Sequence, residues 1–216
     1  MDHEVPLLAV TCVDPVGRDV VVSALLCDVD DAVVVQHDVT ASPGPVLTRI
    51  VHDATGVRER SVPLEVGDCV GCALRDDLVA AITTLTTGPR PPAAIVAALP
   101  VAASAAPVLA ALTPARAPSR VVPAGVIAAV AGDTLEQDLL GDDLLAERSL
   151  AHGPLDRRAV GEVLAAQLDV ADAVALTTPA RARAARLLAH LTAPGTPVAL
   201  SERLPTGPLR ATLAGT

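Results

Sequence analysis

Seven short runs in this sequence are apolar almost from end to end: Pro6–Val13, Asp31–Gln36, Ser61–Val66, Ala93–Leu99, Gly125–Ala131, Asp172–Thr178 and Thr196–Leu200. A strand with one wet face alternates polar and apolar residues. A strand without alternation must be covered on both sides. Segments with helical spacing supply that cover: Arg18–Leu26, Leu74–Leu85, Leu155–Val170 and Ala180–Leu191. In the third, Val160, Val163, Leu164 and Leu168 share one face, and in the fourth Leu187, Leu188 and Leu191 do. The alternation predicts an α/β fold, a mainly parallel sheet with helices on both faces. Ligands of such folds sit beyond the carboxyl ends of the strands. The Pro- and Gly-rich loops at Ser42–Pro45, Thr87–Pro92 and Thr113–Arg120 mark no domain boundary, and there is no internal repeat. A single domain is expected over residues 1–216.

Composition removes several function classes. There is no Phe, Tyr or Trp, so the core must be built from Val, Leu, Ile and Ala. No base-stacking platform or aromatic cage can exist. A formal net charge of -9 argues against nucleic acid as a partner, because phosphate backbones are held by basic surface. The start, MDHEVPLLAV, carries acidic residues where a secretory signal has basic ones, which predicts a cytoplasmic protein. The uncharged stretch Pro91–Ala115 is long enough to span a bilayer, but Pro100, Ser104 and Pro107 interrupt it. A buried strand, a loop and a buried helix are expected there, with no membrane association.

Two stretches carry chemistry. CVDPVGRD, Cys12–Asp19, lies between the first strand and a helix, the place and length of a phosphate-binding loop; a plain strand–helix connection explains it too. GDCVGCALRDDL, Gly67–Leu78, sets Cys69 and Cys72 three apart before a helix. Three readings of the pair stand: two small residues at a helix start, half of a metal site, or a redox pair. As a zinc site it needs further ligands, from His37, Asp38, Asp68 or another protomer. Cys12 and Cys27 read as core residues, His37 as solvated, and the acidic run Gly141–Glu147 as a solvated helix face.

Taken together, these stretches resemble the CobW family of P-loop GTPases, relatives of the HypB and UreG metallochaperones. That family has a Cys-x-Cys-Cys stretch ahead of a Leu-Arg-x-Asp-Leu helix. Here Cys69 and Cys72 match the outer cysteines, Gly71 replaces the middle one, and Leu74–Leu78 matches the helix. Asp156–Leu176 is similar to the segment leading into the family's guanine-reading strand. The resemblance implies a P-loop NTPase-like fold from about Pro6 to Leu200, nucleotide-binding positions at Gly17, Arg18 and Asp19, and metal ligands at Cys69 and Cys72.

The departures imply a change of function. Cys12 replaces the loop's first glycine, Arg18 its lysine and Asp19 its hydroxyl residue. Ala98–Val101 stand where the family has a Glu-Ser-Thr-Gly-type run, so no acid remains there, and Thr177–Ala180 stand where it reads guanine. No counterpart of the family's separate C-terminal domain is expected, since the sequence ends soon after Leu200. The expectation is therefore a CobW-like protein of zinc or cobalt handling, with its thiol pair retained, no catalytic residues, and GTP and Mg²⁺ bound poorly if at all. The alternative is a non-catalytic pseudo-GTPase that docks onto a protein partner or a second copy of itself.

Overall fold

A computed structural model describes residues 4–41, 44–67, 69–111 and 120–203. In chain order the elements are β1 (Val5–Cys12), α1 (Pro15–Asp28), β2 (Ala32–Thr40), β3 (Val46–Asp53), β4 (Gly56–Arg60), β5 (Leu64–Glu65), α2 (Val70–Thr87), β6 (Ala94–Ala98) and α3 (Ala106–Ala111). β7 (Val121–Ala131), α4 (Leu135–Leu140), α5 (Val160–Asp169), β8 (Ala173–Thr178), α6 (Ala182–Leu191) and β9 (Val198–Leu200) follow.

The strands form one sheet in the order β4-β3-β2-β6-β1-β7-β8-β9, with β5 beside β3. From β2 to β9 every pairing is parallel. β3 joins β2 antiparallel and carries β4 and β5 on its far side. The fold is therefore α/β with a mainly parallel sheet, as the apolar runs require.

Residue parity along β1 shows why both faces are apolar. Leu7 and Ala9 pack with Leu74, Leu78 and Ile82 of α2. Leu8, Val10 and Cys12 point the other way, onto Val21, Val22 and Leu25 of α1. Farther along, Ala128 and Val130 of β7 and Val174 and Leu176 of β8 pack under Leu164 and Leu168 of α5 and Leu188 of α6. Each fully buried Leu contributes about 1.5–3 kcal/mol. The four apolar positions read in the third helical segment are all buried.

Four local expectations need correction. Residues 141–147 form no helix: α4 ends at Leu140, Leu144 bridges to Ala159, and Leu145 is fully buried. Only Leu64–Glu65 of the run Ser61–Val66 is a strand. Cys27 is exposed on α1, while Cys12 is buried as expected. The stretch around Pro100 holds β6, buried as expected, then a turn and α3, which is not the buried helix expected: Val108 is buried, but Ala106, Pro107 and Ala110 are exposed; residues 112–119 lie outside the described residues. Among the described residues, no helix is long and apolar enough to cross a membrane.

β1 connects to β2, on one side of it, and β6 connects to β7, on the other. The carboxyl ends of β1 and β6 therefore flank the crevice where ligands of such sheets bind. Two glycines keep this end of the sheet closed. A Cβ on Gly132, after β7, would stand 2.4 Å from the Thr178 carbonyl oxygen, and one on Gly17 would stand 3.0 Å from Asp14 Oδ2.

Candidate functional site

The connection after β1 is only Val13 and Asp14, because α1 begins at Pro15. The local sequence dictates this. Asp is a strong N-cap, and Pro at the first helical position has its φ preset and no N–H to lose. Asp14 has extended backbone and accepts hydrogen bonds from Val16 N to Oδ1 (3.1 Å) and from Gly17 N to Oδ2 (2.9 Å). Arg18 N donates to the Asp14 carbonyl at 3.1 Å. The amides of the first turn are thus all accounted for: Pro15 has none, and the next three bond to Asp14. A phosphate at this position would need those same donors. The chain's own carboxylate holds two of them.

Arg18 stands where a phosphate-binding loop has its lysine, yet it is turned inward and only 3% exposed. Its Nη1 donates to the carbonyls of His37 (3.2 Å) and Leu99 (3.2 Å) and to Asp38 Oδ1 (2.8 Å). Nε donates to Asp19 Oδ1 at 3.3 Å. Burial opposes the charge, but Asp38 more than offsets it, so the guanidinium is held still more firmly protonated. Arg18 therefore braces β2 against the end of β6. Arg18 is thus already paired with two carboxylates, those of Asp19 and Asp38, which disfavours a polyanion there.

Gln167 of α5 closes the crevice from the side, donating Nε2 to the carbonyls of Cys12 (3.1 Å) and Ala103 (2.9 Å). At the end of β8, Thr178 Oγ1 donates to Asp133 and Thr177 Oγ1 to the Val130 carbonyl. Gly17, Arg18 and Asp19 all lie within α1: Gly17 donates to the Asp14 cap, Arg18 is buried, and exposed Asp19 accepts from Arg18 Nε.

His37 is fully buried, against the expectation of a solvated side chain. Its Nε2 lies 2.7 Å from Asp77 Oδ2, and Arg49 Nη1 donates to both oxygens of Asp77 at 2.8 Å. Arg49 continues to Glu59 at 2.7 Å. The His37 contact, then Arg49, hold the Asp77 carboxyl below its usual range. Asp77 is the acid of the Leu-Arg-x-Asp-Leu stretch, and it ties α2 to β2 and β3. Sequence spacing alone gives no sign of a bond across forty residues.

Cys69 caps α2, with Sγ accepting the Cys72 N–H at 3.1 Å. Both cysteines are exposed, and the structure joins them in a disulfide. In that form neither sulfur can ligate a metal; reduced, they offer two thiolates. His37 and Asp38, considered as further ligands, are engaged by Asp77 and Arg18, and Asp68 lies outside the described residues. Among the described residues, no group of three or more His, Cys, Asp or Glu side chains could hold a metal ion. Two sulfurs with open coordination fit a passing cargo ion better than a resident structural zinc.

Val70 and Gly71, the residues between the cysteines, line a cleft of about 810 Å³. Leu74, Pro107, Ser104 and the 152–156 loop complete its walls. That loop is fixed by Arg158, which forks onto Asp156 at 2.7 and 2.9 Å and donates to the Ala102 carbonyl at 3.0 Å. The fork holds Asp156 far below the usual carboxylate range. His152 Nε2 meets the Val101 carbonyl at 2.6 Å, and burial lowers its pKa.

No family model matches this sequence, and no curated protein sequence matches it. Among solved structures, the Zn(II)-bound YjiA GTPase from E. coli is similar, with a TM-score of 0.51 at 17% identity. The alignment covers 91% of this chain and 57% of that one, so this chain spans little more than half of its neighbour's length. At that identity the likeness concerns the fold alone, the mainly parallel α/β sheet with helices on both faces.

Proposed function

We propose that this chain is a nucleotide-independent, CobW-like protein that carries a thiophilic cation, zinc or cobalt, on Cys69 and Cys72 in their reduced state. One observation carries the first half: the Asp14 carboxylate stands on the Val16 and Gly17 amides, where a phosphate would bind. A catalytic GTPase keeps those donors open and adds a lysine and a hydroxyl residue. Here the counterparts are a buried arginine pinned to the ends of β2 and β6 and an aspartate that pairs with it.

The second half is supported by the exposed cysteine pair at the start of α2 and by the fold shared with a Zn(II)-bound GTPase. A reducing compartment, such as the cytoplasm, would keep the pair as thiols. Two ligands leave coordination positions for an acceptor to attack, which suits transfer, and folding does not depend on the ion. The test is competition against a chromophoric zinc chelator after reduction. Wild type is expected to take zinc, the Cys69→Ser/Cys72→Ser double variant is not, and Mg²⁺-GTP leaves both unchanged. Equal failure of wild type and double variant would sink the cargo reading.

A docking role is favoured by a separate observation. β4 is an edge strand exposed along its whole length, and Val57, Val62 and Leu64 project apolar surface beside it. A partner complex that survives a strong chelator would support that role over cargo transfer.

A further inference from the structure

The cargo reading uses the cysteine pair only when reduced, whereas the structure holds it oxidised. We propose that Cys69–Cys72 is a dithiol–disulfide exchange centre, in which Cys69 is the sulfur that exchanges with an external dithiol.

Four observations carry this. The cysteines lie 5.3 Å apart Cα to Cα at the start of one helix, so the bond opens and closes without moving any other element. Both are exposed, and among the described residues other than its chain neighbours nothing lies within 4 Å of a Cβ built on Gly67. Among the described residues only Pro107, at 3.9 Å, comes near one built on Gly71, which leaves the pair open to a reagent on that side.

Cys69 and Cys72 are also inequivalent. Cys69 is the cap, its Sγ already accepts the Cys72 N–H, and the first turn of the 18-residue α2 holds no acidic residue. Negative charge on Cys69 Sγ is therefore stabilised by a donor and by the positive end of the helix. Finally, α2 stays anchored while the bond changes, through buried Leu74, Leu78 and Ile82 and the Asp77 contacts with His37 and Arg49.

The exchange balances as follows. One thiolate of the external dithiol attacks Cys69 Sγ; the Sγ–Sγ bond breaks and its electron pair leaves on Cys72, which takes a proton from solvent. The dithiol's second thiolate then attacks its own sulfur in the mixed disulfide and expels Cys69 as the stabilised thiolate. The dithiol loses two electrons and becomes a disulfide, and the pair becomes a dithiol. The other two cysteines do not take part: Cys12 is buried, with its pKa pushed up to about 12, and Cys27 sits on α1, across the sheet from α2.

The full chain carrying Cys27→Ser is equilibrated in mixtures of reduced and oxidised dithiothreitol with EDTA present, then alkylated and weighed. The Cys69 and Cys72 thiols are expected to appear and vanish together, reversibly. In the same background, the Cys69 thiol of Cys72→Ser should react with 5,5′-dithiobis(2-nitrobenzoate) at pH 7 about threefold faster than the Cys72 thiol of Cys69→Ser, because a hydrogen-bonded sulfur at a helix N-terminus carries more of the reactive thiolate, an advantage trimmed by its lower intrinsic nucleophilicity. Serine is itself a good N-cap, so Cys69→Ser retains the helix start. A pair that stays reduced in fully oxidised dithiothreitol, or single thiols equal within twofold, would overturn the proposal. EDTA separates this outcome from the cargo reading: exchange by a protein that binds no zinc leaves the proposal standing.

Discussion

Replacing Arg18 with methionine distinguishes a brace from a phosphate ligand. The guanidinium is 3% exposed and donates to the His37 and Leu99 carbonyls and to Asp38. A charged donor on a carbonyl is worth about 1.5 kcal/mol at the lower end of its range. The two carbonyls then account for about 3 kcal/mol. Asp38 is 43% exposed, so its ion pair counts as a surface pair and adds at most about 1 kcal/mol. Methionine fills most of the space left behind and creates no large cavity. The expected loss is therefore about 3 kcal/mol out of a total of about 5–15. For a chain of this size that lowers Tm by about 6–12 °C. Thermal melts followed by circular dichroism, with urea unfolding as a second probe, measure it. Asp38→Asn should cost less than about 1 kcal/mol. A Tm for Arg18→Met within about 2 °C of wild type would refute the brace. A phosphate ligand would behave oppositely, losing affinity for nucleotide while leaving the apo protein's stability alone.

Other perturbations follow from the same geometry. Gly17→Ala puts a Cβ 3.0 Å from Asp14 Oδ2 and should loosen the cap, costing about 1 kcal/mol in urea unfolding. Gly132→Ala forces a Cβ to 2.4 Å from the Thr178 carbonyl oxygen and should cost about 1–3 kcal/mol, read as a lowered Tm. Asp156 is held low by the Arg158 fork, so its contribution is complete above the unfolded carboxylate value of about 4 and is lost as pH falls through the lower folded value. Urea midpoints should therefore separate wild type from Asp156→Asn by a constant amount between pH 5 and 7, and the gap should shrink below about pH 4.

The parallel half of the sheet was legible because its strands are apolar on both faces. β1, β6 and β8 fall within two residues of the runs that announced them. β3 and β4 were not legible. β4 is exposed throughout, and β3 buries only Leu47 and Val51 while carrying Arg49, His52 and Asp53, so neither shows a continuous apolar run. Residues 141–147 looked helical from their acidic residues, but Leu145 is drawn into the core beside Val160 and Val163. At the site, the substitution of arginine for lysine was visible, whereas the role of Asp14 was not, although Asp14-Pro15 carries the N-cap and first-turn signal that starts α1 early. The His37–Asp77–Arg49 network joins three elements, and a linear reading has no term for such contacts.

We propose that Asp14 and Arg18 close, from within, the place after β1 where a nucleotide's phosphates would sit. Titration of Mg²⁺-GTP into the reduced protein in a calorimeter tests it most directly. No saturable heat is expected up to millimolar nucleotide, because two first-turn amides already hold the Asp14 carboxylate and Arg18 is already paired with Asp19 and Asp38. Saturable binding at micromolar nucleotide would contradict it.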